Sequence, residues 1–138
     1  MPQLRRVRVF FYGLFMDAEA LRAKGLDPVN VRPARVHGMR LRIGQRAALV
    51  ESPGDITHGM SMELTHAELD LLYMEPGVTV YRPEAVSLKL DDGSALAALC
   101  YNLPTPPNPD ERNPEYAAKL RSLAERIGLP SSYVQSLS

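Results

Sequence analysis

Two short segments hold residues whose types and spacing can do chemistry. The first is Leu72-Tyr73-Met74-Glu75-Pro76-Gly77-Val78-Thr79-Val80-Tyr81-Arg82. Pro76 and Gly77 must end any helix that runs into them. Glu75 therefore sits at a helix end, between Met74 and Pro76. A negative charge there opposes the helix dipole. Desolvation of such a carboxylate would suit it to accept and return a proton. Taken alone, the same pattern also describes a solvated loop glutamate.

The second segment is Phe11-Tyr12-Gly13-Leu14-Phe15-Met16. It reads as a strand entering a glycine turn and then a helix start. Successive backbone N–H groups in such a turn can hold a carboxylate or a carbonyl oxygen. An ordinary strand-to-helix connection has the same local pattern.

Other chemistry finds little support. There is no Gly-x-x-x-x-Gly-Lys-Ser/Thr or Gly-x-Gly-x-x-Gly loop, and no His-Glu-x-x-His or Cys-x-x-Cys. His37, His58 and His66 lie in unrelated contexts, so they make a metal site only if the fold gathers them. Cys100 lies within the apolar run Leu96 to Tyr101 with nothing basic beside it, the setting of an inert thiol.

The elements that must position these segments can be read along the chain. Residues 7–12 form a strand of Val and aromatic residues. Asp17 caps a short helix through Lys24, which Gly25 stops. Extended segments follow at 29–36, 40–43 and 47–50. Pro53-Gly54-Asp55 reads as a turn and 58–64 as a strand. Thr65 and Glu68 have capping-box spacing and open a helix through Tyr73. Residues 80–90 and 94–103 form a hairpin about Asp91-Asp92-Gly93. Pro104 to Pro109 is a loop. Asn113-Pro114 starts a helix with apolar positions Tyr116, Leu120, Leu123, Ala124 and Ile127. Gly128 ends it, and Pro130 starts a short terminal helix. Strands dominate without regular βαβ alternation, so the fold class is α+β on a mostly non-local sheet that can close into a barrel.

Bulk properties bound the partners. The 138 residues suit a single domain spanning 1–138. Sixteen basic residues balance sixteen acidic ones, so no excess charge draws nucleic acid or an acidic membrane. One cysteine and an N-terminus without a long apolar run lead to the expectation of a reducing cytoplasm. No window approaches the ~18 apolar residues of a membrane span.

Together the two segments resemble the γ-glutamylcyclotransferase-like superfamily. Its members carry a Tyr-Gly-Ser-Asn/Leu turn after the first strand and a Glu shortly before a Tyr on a later strand. The first appears here as Tyr12-Gly13-Leu14-Phe15-Met16, the second as Glu75 with Tyr81 and Arg82. Gly59 in His-Gly-Met-Ser-Met-Glu-Leu, the strand Ala98-Leu99-Cys100-Tyr101 and the terminal stretch Asn113 to Leu137 are similar to family segments in the same order. Leu14 stands in place of the family's Ser, which removes a hydroxyl but not the backbone amides.

The resemblance implies a small mixed β-barrel surrounded by helices. It implies an intramolecular acyl transfer in which a γ-glutamyl amine or dipeptide closes to 5-oxoproline and releases its amine or amino acid. Glu75 would be the general acid/base. Tyr12, Gly13, Leu14, Phe15 and Met16 would bind the glutamyl carboxylate or the developing oxyanion, and Tyr81 and Tyr101 would line the pocket. Neither a cofactor nor a metal is called for, and the protein would act as a monomer or homodimer. The alternative on the same fold is a binding domain for a small ligand, without catalysis.

Overall fold

The computed structural model describes residues 5–138. The leading residues 1–4, read above as free of an apolar leader, lie outside the described residues. Five strands close into a barrel: β1 (Arg6–Phe11), β2 (Val29–Ile43), β3 (Ala47–Thr65), β4 (Arg82–Leu90) and β5 (Ala95–Asn102). Their order around the barrel is β1-β3-β2-β4-β5. All neighbours are antiparallel except β1 and β5, which meet in parallel at Val9 and Leu99. The barrel is thus mixed, as the resemblance implies.

Strand alternation divides the core in two. Phe10 on β1 and Tyr12 just after it face inward and join Ala34, Val36, Leu49, Leu88, Leu90 and Cys100 in the barrel interior. Val9 and Phe11 face outward and lie beneath a cover of helices. That cover comprises α1 (Ala18–Ala23), α2 (His66–Leu72), α3 (Pro114–Arg126) and α4 (Ser131–Ser136). On α3, Leu120, Leu123 and Ala124 are buried, the spacing expected of one helical face.

The expected start signals operate. Asp17 accepts a hydrogen bond from Ala20 N–H. Thr65 and Glu68 form both halves of the capping box, and Asn113 accepts from Tyr116 N–H with Pro114 in the first turn. Among the described residues, no helix is long and apolar enough to cross a membrane.

Two expectations need correction. The segments 29–36 and 40–43 are one strand, and the segments 47–50 and 58–64 are another. Pro53-Gly54-Asp55 does not reverse the chain. The pairing steps from Met39↔Glu51 to His37↔Ile56, so the extra residues of β3 bulge out while the ladder resumes beyond them. Gly54 supplies the positive φ (+89°) that the bulge requires. Turn chemistry is present, but pairing with β2 on both sides carries the strand through it.

Candidate functional site

A cavity of about 250 Å³ opens at one end of the barrel. Three segments build its wall. The turn after β1 contributes Tyr12, Gly13, Leu14 and Phe15. The β2–β3 turn contributes Gln45 and Arg46, with Ala47 at the start of β3. The connection from α2 to β4 contributes Tyr73, Pro76, Gly77, Val78 and Tyr81. Tyr101 of β5 and Tyr116 of α3 complete the lining, with Phe10 and Phe11 behind them.

The turn after β1 is shaped by close approach. Gly13 has φ −113°, open to any residue. A β-carbon on it would lie 2.5 Å from the Tyr116 hydroxyl oxygen, so Tyr116 reaches this turn only because residue 13 has no side chain. Burial pushes the Tyr116 pKa upward, and the nearby Leu14 backbone partly offsets that push. Met16 N–H donates to Gly13 O at 3.0 Å, closing a single 3₁₀ turn at Leu14–Met16. The Met16 side chain packs in the helix-covered core rather than in the cavity. Among the described residues, the amides of Gly13 and Phe15 have no backbone partner.

Aromatic rings form the floor. Tyr73 stacks on Tyr101 with centroids 3.9 Å apart and planes within 12°. Phe15 meets Tyr73 edge-on at 5.8 Å and Phe11 edge-on at 6.1 Å. Such contacts add to the area buried and fix ring orientation. Burial raises the pKa of Tyr12, Tyr73 and Tyr81 strongly, and that of Tyr101 to a lesser degree, with Asp70 adding to the last. The hydroxyls therefore stay protonated across the neutral range.

Two of those hydroxyls bond to the protein's own backbone. Tyr12 Oη donates to Tyr101 O at 2.8 Å, and Tyr81 Oη donates to Ala47 O at 2.5 Å. Arg46 Nε donates to Gly77 O at 2.7 Å. The last two bonds tie the α2–β4 connection to the β2–β3 turn. That turn is itself held by Gln45 N–H donating to Glu111 and by Asn113 donating to Gln45 O. Asn102, 4% exposed, braces the same end of the barrel. Its amide exchanges bonds with both backbone groups of Leu49, at 2.9 and 3.0 Å, and donates to Glu84 at 3.1 Å.

Glu75 lies beside the cavity without lining it. Its Oε1 is 2.7 Å from Lys24 Nζ, just beyond α1, and its side chain is 38% exposed. Its chain neighbours Pro76, Gly77 and Val78 do line the cavity. Arg82 is exposed and donates to Thr79 O and Tyr81 O. Cys100 is fully buried, and burial, aided by the charge of Glu84, pushes its thiol up to about 12. Among the described residues, no three His, Cys, Asp or Glu side chains converge as metal ligands would.

The structure thus brings together Tyr12, Gly13, Leu14, Phe15, Tyr81 and Tyr101. It leaves Met16 in the core and Glu75 at the edge. Sequence reasoning missed Arg46, Tyr73 and Tyr116 as parts of the site. Arg46 and Tyr116 come from distant segments and carried no local signal. Tyr73, two residues before Glu75, stood within the segment already singled out.

The fold has solved counterparts. A structure described as a gamma-glutamyl cyclotransferase is 21% identical, with a TM-score of 0.75 over 97% of this chain and 89% of that one. The Homo sapiens structure described as uncharacterized protein loc79017 is 22% identical, with a TM-score of 0.73 over 96% of this chain and 88% of that one. YkqA from Bacillus subtilis is 23% identical, with a TM-score of 0.71 over 95% of this chain but 52% of its own. At these identities the likeness establishes the fold. No curated protein matches the chain in sequence. The family described as "Gamma-glutamyl cyclotransferase, AIG2-like" matches residues 9–119, from β1 into α3, and so spans every wall of the cavity. On that match the chain belongs to the gamma-glutamyl cyclotransferase, AIG2-like family.

Proposed function

We propose that the protein is an enzyme that cyclises a γ-glutamyl amine or dipeptide to 5-oxoproline, with Glu75 carrying the proton. The α-amino nitrogen attacks the γ-carbonyl carbon, and a new C–N bond closes the five-membered lactam. The C–N bond to the leaving amine breaks. One proton moves from the attacking nitrogen to the departing one, so no water or co-reactant is consumed. Holding the near-attack conformer can contribute as much as ~7–11 kcal/mol.

The observation that carries this reading is the family match, which spans both the turn after β1 and the segment of Glu75. The cavity between them supports it, being small and lined mostly by aromatic and apolar residues. In this proposal the amides of the Tyr12–Met16 turn that remain free, those of Gly13 and Phe15, meet the glutamyl carboxylate or the oxyanion. Tyr73, Tyr81 and Tyr101 shape the walls and exclude water. Glu75 acts after rotating from Lys24 toward the mouth that Pro76 to Val78 line.

The Lys24 ion pair also favours a second reading, a binding domain that holds a γ-glutamyl ligand without turning it over, because the carboxylate already has a partner. One survey separates the two. The protein is incubated with γ-glutamyl amines and dipeptides while 5-oxoproline and ligand binding are both followed. Product release supports the enzyme, and saturable binding without product supports the binding domain.

A further inference from the structure

We infer that Arg46 selects substrates whose leaving group carries its own carboxylate, so that γ-glutamyl amino acids with an apolar side chain are preferred over γ-glutamyl amines. This inference deepens the cyclisation reading and rests on it.

The cavity wall supplies the argument. Among the described residues, Arg46 is the one lining residue with a full charge at neutral pH, and no Asp, Glu or Lys shares the lining. Its position is fixed through Nε, which donates to Gly77 O at 2.7 Å. Its terminal Nη groups make no hydrogen bond or ion pair with another described residue. Arg46 is exposed at the cavity wall, and its charge is close enough to the Tyr81 hydroxyl to oppose, in part, the upward push of burial there, while with Arg42 it also helps to lower the pKa of Glu111 across the β2–β3 turn. A guanidinium held by one nitrogen and open at the other two is suited to a carboxylate, which it can meet with paired, charge-assisted bonds.

The proposed reaction has one carboxylate on the glutamyl half, and that reading gives it to the turn after β1. Arg46 lies on a different segment, the β2–β3 turn, and is left for a second carboxylate. A γ-glutamyl amine has none to offer. A γ-glutamyl amino acid has one, on the part that departs. The remaining wall near Arg46, formed by Ala47, Val78 and Tyr81, is apolar enough to receive an aliphatic or aromatic side chain.

The test uses a matched pair, γ-glutamylphenylalanine and γ-glutamylphenethylamine, which differ only in that carboxylate. The full chain is expected to favour the dipeptide by about tenfold or more in kcat/KM, the order of one charge-assisted contact. Arg46→Gln is expected to bring the ratio close to one, and Arg46→Lys to keep part of it. General damage to the loop lowers both substrates together and leaves the ratio alone. A wild-type ratio near one, or a ratio that Arg46→Gln does not change, overturns the inference. If neither compound yields 5-oxoproline, the cyclisation reading fails and the same pair is compared by calorimetric binding. Preferential binding of the dipeptide that is lost in Arg46→Gln then upholds the role of Arg46, and equal binding overturns it.

Discussion

At Gly13 and Gly59 the missing side chain makes room for different neighbours, and the consequences differ. A β-carbon at Gly59 would lie 2.2 Å from Phe11 O, a backbone atom of the neighbouring strand that cannot swing away. Gly59→Ala is expected to cost at least about 3 kcal/mol, the upper range of overpacking, measured by urea denaturation. At Gly13 the obstacle is the end of the Tyr116 side chain, with the next ring atom 3.9 Å away. Gly13→Ala should push Tyr116 aside, lowering stability and turnover together. In a Tyr116→Phe background the same change should be nearly neutral. A coupling of about 1 kcal/mol between the two substitutions is expected, in the range seen for touching residues. Additive effects would show that the hydroxyl is not what excludes a side chain at residue 13. The close approach was invisible in the sequence, where Gly13 reads as a conformational need and Tyr116 as one apolar helix position among five.

At the scale of the element, α2 shows how a local signal becomes a working part. Thr65→Ala removes one half of its capping box and is expected to cost about 1 kcal/mol. Glu68 provides the other half and also accepts from Asp27 N–H. Burial pushes its pKa upward, but the bonds from Thr65 and Asp27, with Arg6 nearby, outweigh that and hold it below the usual value. A carboxylate with a depressed folded-state pKa contributes stability that is fully present above its unfolded value, about 4.3. That contribution is lost as pH falls through the lower folded value. Glu68→Gln should therefore destabilise the protein at neutral pH and flatten the loss of stability on acidification, followed by urea melts from pH 7 down to 3. An unchanged acid limb would remove Glu68 from the account. The cap was legible because Thr65 and Glu68 are three residues apart. The bonds tying the α2–β4 connection to the β2–β3 turn were not, because Arg46–Gly77 and Tyr81–Ala47 join residues 31 and 34 positions apart.

For the whole molecule, barrel closure decides what becomes a site. The helices and the β4–β5 hairpin could be read from caps, breakers and alternation. The long β2 and β3 could not, since Pro53-Gly54-Asp55 imitates a reversal that only pairing overrules. Closure also places Asn102 against Leu49 on β3, a strand with which β5 does not pair. Asn102→Leu should leave both backbone groups of Leu49 unpaired at the cavity end, at a cost of about 3 kcal/mol by thermal or urea denaturation. The turn of Tyr12 to Phe15 was legible as a candidate and does line the cavity. The place of Glu75 beside Lys24 was not, because the meeting of α1 with the α2–β4 connection is set by the fold as a whole. The central claim, proton transfer by Glu75 during cyclisation, is tested most directly by comparing wild type with Glu75→Gln for 5-oxoproline release from a γ-glutamyl dipeptide. The account predicts steady turnover by the wild type and a loss of about 100-fold or more in the variant, with an unaltered melting profile. Equal turnover by the two proteins would contradict it.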